Sequence, residues 1–114
     1  MRDPRERLLD MLDAIERIEK YSSKGRTVFE HDELVQTWMV HHLQILGEAA
    51  AKVGHEFHEQ HPSIPWPQII AMRNVLVHDY FGVDLEEIWR MVERDLPELK
   101  NSCKRLVDEL AKNK

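Results

Sequence analysis

Ile64-Pro65-Trp66-Pro67-Gln68-Ile69-Ile70-Ala71-Met72-Arg73-Asn74-Val75-Leu76-Val77-His78-Asp79-Tyr80 is the stretch on which the fold and the chemistry turn. Pro67 suits the first turn of a helix, where the N–H it lacks would have no partner within the helix. Ile69, Ile70, Met72, Val75, Leu76 and Val77 then carry the helix on, mostly apolar and therefore expected to be largely buried, to an end near Tyr80-Phe81-Gly82. Three polar residues interrupt it. Asn74 and His78 are four apart and share a face. Arg73 is turned from His78 by roughly 140°, at about 100° per residue.

The flanking sequence is also helical. Leu8, Leu12, Ile15 and Ile18 recur at steps of four and three behind Asp3 and Pro4, a capping residue and a first-turn proline. A second long helix is expected from about Asp32 to about Val53, with Val35, Trp38 or Met39, His42, Ile45 or Leu46, Ala49 and Val53 on its apolar stripe. Gly47, Ala49, Ala50 and Ala51 make one end of it narrow enough for another helix to approach closely. His55 to Ile64 reads as a polar connector, with room for a helical turn. Asp84-Leu85-Glu86-Glu87 is a capping box that opens a helix through Ile88, Trp89, Val92 and Leu96. Pro97 kinks or restarts the chain before a last helix along Leu99, Cys103, Leu106 and Leu110. No segment alternates as a strand would. The expectation is an all-α bundle of four to five helices in one domain spanning residues 1–114, small enough that self-association is expected as well.

The composition narrows the classes of function. No apolar run approaches the roughly 20 residues of a membrane span. The charged N-terminus lacks the apolar core and small-residue cleavage site of a secretory signal, and the lone Cys103 allows no internal disulfide framework. A cytoplasmic protein is expected. The net charge of -5 opposes broad attraction to nucleic acid, so any RNA site must be a local basic spot or be built across a dimer.

Arg73, Asn74 and His78 are the residues that packing does not explain. Histidine exchanges a proton near neutrality, and arginine's planar fork suits a phosphate gaining charge. RNA brings its own nucleophile, the 2′-hydroxyl, so such a pair can cleave it without a metal or cofactor. From residue types alone, a structural polar knot between helices is the favoured account of the trio. In either case Arg73 needs a countercharge, for which Glu48 and Asp79 are the candidates.

Arg73, His78 and Tyr80 match position by position the motif Arg, four residues, His, one residue, Tyr. With the flanking Ile64-Pro65-Trp66, Tyr80-Phe81-Gly82-Val83-Asp84, Asp95-Leu96-Pro97-Glu98-Leu99 and Leu46-Gly47-Glu48-Ala49, the chain closely resembles the HepT-like branch of the HEPN superfamily over nearly its whole length. The resemblance implies a metal-independent endoribonuclease toxin, a homodimer whose two motifs face one cleft. It implies no cofactor, and RNA rather than DNA as substrate. It further implies a cognate antitoxin, a minimal nucleotidyltransferase of MntA type that transfers AMP from ATP onto the motif tyrosine, here Tyr80. The alternatives are a non-catalytic helical module that docks such a transferase, and a purely structural dimer. The chain departs from the family at Pro67, where a charged residue is frequent, at Ala71, where Gly is, and at His41-His42, where Arg-Asn is more usual; the last bears on substrate binding around the cleft.

Other residues read less sharply. His55, His58 and His61 recur every three residues and could gather round a metal, but they lack the His-Glu-x-x-His pattern and stand among solvated acids. His42 falls on an apolar stripe, which suits packing or a dimer seam, with RNA contact as the lesser reading. Trp38, Trp66 and Trp89 fit core or interface positions better than a base-stacking platform. Cys103 reads as a small core residue.

Overall fold

The computed structural model describes residues 3–78 and 84–112. Among these, four long helices carry the fold: α1 (Pro4–Ser22), α3 (Glu33–Lys52), α5 (Trp66–His78) and α7 (Leu96–Lys112). Three short helices connect them: α2 (Arg26–His31), α4 (His55–Gln60) and α6 (Leu85–Arg90). No strand occurs among the described residues. None of their helices is long and apolar enough to cross a membrane.

α1 lies against both α3 and α7, and α3 also receives α5. Leu8, Met11, Ile15 and Ile18 of α1, Met39 and Leu43 of α3, and Cys103 of α7 are fully buried in one cluster. Each large aliphatic side chain withdrawn from water in this way contributes about 1.5–3 kcal/mol. The helix starts follow their sequence signals. Asp3 accepts from the Arg5 N–H at 2.8 Å, Asp32 from the Leu34 N–H at 2.9 Å, and Asp84 from the Glu86 N–H at 2.9 Å.

Three features differ from the sequence expectation. The span between Gly25 and Asp32 forms α2, a helix that puts only Phe29 into the core, too little for periodicity to reveal. The connector after Gly54 holds more than the single turn expected of it, a helix of 6 residues, α4. Both follow a glycine at positive φ, 97° at Gly25 and 94° at Gly54, where a side chain would be strained. The third difference is that α5 is not largely buried. Trp66, Ile69 and Leu76 are inside, but Val75 is 53% and Val77 47% exposed. α5 packs mainly against α3, so its other sides face outward.

Met91–Asp95 form a π-helical turn just before Pro97. Proline has no N–H for the carbonyl four residues back and its ring crowds that carbonyl. The widened turn lets the chain pass this point and continue as α7.

Candidate active site

The motif helix is set by one close approach. A Cβ built on Gly47 would overlap the Cβ of Arg73, would sit 2.7 Å from its Cγ, and would lie 3.3 Å from the Ile69 carbonyl oxygen. Only the absence of a side chain at residue 47 allows α5 to lie this close, so Arg73 rests with its stem on the backbone of α3. The narrow end expected of this helix therefore does have a helix against it. Gln44, three residues before Gly47, donates from Nε2 to the Leu76 carbonyl at 3.1 Å and ties α3 to the motif turn.

Arg73 is half-buried. Its Nε is buried and has no hydrogen-bond partner among the described residues, a condition shared by Nε of Arg5 and Arg7. Asn74 and His78 are exposed on the outer side of α5. α5 is regular as far as His78, so Arg73 and His78 diverge by about 140° and stand roughly 7.5 Å apart along the axis. One chain presents the two groups on different sides of one helix. Asp79 and Tyr80 lie outside the described residues.

Glu48 is not a buried partner of Arg73. It is exposed and meets Lys52 at 3.3 Å, one turn along α3, as an ordinary solvated helix position does. Facing α5 at this level is Gly47, and Glu48, one residue on, is turned away by about 100°. His42 is 6% exposed and its Nδ1 lies 2.8 Å from the Trp38 carbonyl, which can only accept, so this nitrogen carries a proton. It packs as its stripe position suggested, and its burial removes it from contact with RNA. Its neighbour His41 is exposed.

The three histidines at 55, 58 and 61, the last just past the end of α4, do not converge. His55 meets Glu59 at 3.0 Å, His58 donates to the Ala50 carbonyl at 2.7 Å and stacks on Trp66, and His61 lies over Phe57. Among the described residues no three His, Cys, Asp or Glu side chains are placed to hold a metal ion. Trp66 and Trp89 are buried, and Trp38 donates from Nε1 to the Arg17 carbonyl at 2.7 Å, so all three are packing residues. Burial pushes the Cys103 thiol up to about 12, leaving it neutral and inert.

Sequence reasoning missed two contributors. Gln44 escaped because its partner is a carbonyl 32 residues away, although it shares the face that carries Gly47 and Glu48. The second is a groove of about 410 Å³ beside Val77, with Arg7 and His41 in its lining. The periodicity of one helix cannot show what two helices enclose.

The chemistry on hand is an exposed imidazole, an adjacent amide and a guanidinium braced against a neighbouring helix. That set can move a proton and hold an anionic phosphate. Helical fold and motif together define a ribonuclease of the HEPN class. The chain belongs to the family described as Ribonuclease HepT-like, which it matches over residues 11–106. It is 36% identical over 108 residues to a protein of Thermococcus cleftensis named probable ribonuclease HepT, covering 92% of this chain and 96% of that one. A Caldanaerobacter subterraneus protein bearing a provisional RNase name is 34% identical over 110 residues, covering 96% of this chain and 98% of its own length. A third relative, from Methanocaldococcus jannaschii, is 37% identical over 105 residues; its name joins a gamma-glutamylcyclotransferase to a provisional RNase, and the match takes in 91% of this chain but 47% of that longer protein. No solved structure matches the chain significantly.

Proposed function

We propose that this chain is a metal-independent endoribonuclease toxin that acts as a homodimer and is silenced by AMPylation of Tyr80. The observation that carries the reading is an exposed His78 on the same helix as an Arg73 whose stem is fixed on Gly47. His78 takes the proton of an RNA 2′-hydroxyl, or returns one to the departing 5′-oxygen. The 2′-oxygen attacks the adjacent phosphorus, the bond to the 5′-oxygen breaks, and a 2′,3′-cyclic phosphate and a 5′-hydroxyl result. Arg73 stabilises the charge that gathers on the phosphoryl oxygens, and Asn74, on the face of His78, positions the strand. No step calls for a metal or a cofactor.

A second copy accounts for two features of α5. Arg73 and His78 point to different sides of one helix, and a facing copy brings a second set within reach of the same phosphate. The exposed Val75 and Val77 lie between them, where apolar side chains gain by being covered. Two copies of Arg73 in one cleft also concentrate positive charge that an acidic chain otherwise lacks.

Tyr80 follows His78 by two residues. Transfer of an adenylyl group from ATP to its hydroxyl oxygen, with release of pyrophosphate, would set a bulky anion beside the motif. That anion competes with RNA for Arg73. The partner is a small nucleotidyltransferase serving as antitoxin. The test is cleavage of RNA in excess EDTA by the wild type, His78→Ala and Arg73→Ala, followed by intact-mass and peptide analysis after incubation with the antitoxin and ATP. Cleavage by the wild type alone and a mass gain of one AMP at Tyr80 are expected. Cleavage that survives His78→Ala, or modification elsewhere with activity retained, overturns the corresponding half of the proposal.

A further inference from the structure

We propose that the groove between α1 and α3 beside Val77 is a nucleobase pocket of the RNA cleft and that its preferred occupant is guanine; this rests on the ribonuclease reading above and names what that site selects. The groove measures about 410 Å³, within the range of small-ligand pockets. Val77, which lines it, directly precedes His78, so the groove adjoins the motif. Ile45 and Ala49 complete an apolar lining, with Ile45 exposed enough to meet a ligand.

Single-stranded RNA is read by splaying bases out, stacking them on planar side chains and meeting their Watson–Crick edges with hydrogen bonds. His41 supplies the plane. It is exposed in the groove lining and backed edge-on by His42, ring centroids 5.1 Å apart, and His42 is itself held by the Trp38 carbonyl. His41, Ile45 and Glu48 follow one another at steps of four and three, so stacking plane, apolar contact and carboxylate share one face of α3.

The charges decide what fits. Asp10, Asp13 and Glu48 line the groove against Arg7 and Lys52, a balance unsuited to a phosphate alone. A carboxylate accepts hydrogen bonds and cannot donate them. Guanine alone among the four bases sets two N–H donors side by side on its Watson–Crick edge, at N1 and the 2-amino group, spaced for the two oxygens of a carboxylate. Glu48 is available for that role because Lys52, which it meets among the described residues at 3.3 Å, is an exposed neighbour, and such pairs exchange readily for water or ligand. Lys52 and Arg7, in the same lining, are the cations left to meet the phosphates that flank the base.

The test uses short oligonucleotides identical except for one position carrying guanosine, inosine, adenosine or uridine. Each is made as cleavable RNA and as a 2′-O-methyl form that cannot be cleaved. Guanosine should be bound and cleaved about tenfold or more better than the other three, with inosine, which lacks the 2-amino group, falling among the rest. Glu48→Gln should bring the ratio towards one, His41→Ala should weaken binding, and His41→Phe should restore it. The ring signals of His41 should shift on adding the guanosine 2′-O-methyl form. Equal affinity for all four oligonucleotides, or a guanosine preference that survives Glu48→Gln, overturns the pocket. Cleavage without base preference overturns the pocket and leaves the nuclease standing; guanosine-selective binding without cleavage does the reverse.

Discussion

α4 and α5 each carry a set of polar side chains that the sequence marks out, and the two sets have opposite fates. On α4 and the residue that caps its end, the histidines at 55, 58 and 61 have the more regular spacing, yet each is taken by its own neighbour: a glutamate, a backbone carbonyl, an aromatic ring. On α5 Arg73, Asn74 and His78 are irregularly spaced and, among the described residues, largely unspent. Asn74 and His78 are exposed, and Arg73 Nε has no partner among the described residues. Regular spacing therefore says little about function. What separates the two regions is whether the polar groups are already used by the fold.

The largest expected effect breaks the comparison on the α5 side. His78→Ala should lower the cleavage rate by roughly a hundredfold or more, the usual worth of a proton-transfer group, with thermal unfolding unchanged because His78 is exposed. Arg73→Ala should lose at least as much activity and some stability, since its stem packs on Gly47. A His78→Ala variant that unfolds earlier but cleaves normally would make α5 a structural region like α4.

The next effect tests the contact that braces Arg73. Alanine is favoured over glycine within a helix by about 1 kcal/mol, but overpacking a close contact costs about 1–3 kcal/mol. The overlap at Gly47 is with a Cβ, which cannot swing aside as the tip of a side chain can. Gly47→Ala should therefore destabilise by about 1 kcal/mol net and reduce cleavage together, read from a denaturation midpoint and a rate. Stabilisation with full activity would show that Arg73 does not depend on this approach.

The smallest effects lie on α4. His58→Ala removes a hydrogen bond to the Ala50 carbonyl and a stack on Trp66, and should lower stability by about 1–2 kcal/mol while the rate per folded molecule stays the same. His55→Ala, in an exposed pair, should stay within about 0.5 kcal/mol of wild type. A fall in cleavage for either, at temperatures where the protein is folded, would return α4 to the functional surface.

Much of the fold was legible because its signals are local. Apolar periodicity marks α1, α3 and α7, Asp3, Asp32 and Asp84 cap where they should, and Pro97 disturbs the helix where a proline must. What was not legible depends on neighbours. Val75 and Val77 look like core residues in sequence, since apolar side chains await cover whether it comes from the same chain or another. Glu48 looked like a countercharge for Arg73, but one residue's rotation along α3 gives Gly47 to α5 and turns Glu48 away from it. The chemistry of Arg73, Asn74 and His78 was visible because these residues spoil an otherwise apolar helix. Gln44 and the groove at His41 were hidden because each exists only once two helices meet.

The most direct test of the central claim, that His78 and Arg73 cleave RNA through its own 2′-hydroxyl, is the chemistry of the ends produced. A single-site RNA and its 2′-O-methyl counterpart would be incubated with the wild type in EDTA, and the products resolved by mass. Cleavage of the RNA alone, to a 2′,3′-cyclic phosphate and a 5′-hydroxyl, is the predicted result. Cleavage of the 2′-O-methyl strand, or products ending in a 3′-hydroxyl and a 5′-phosphate, would contradict it.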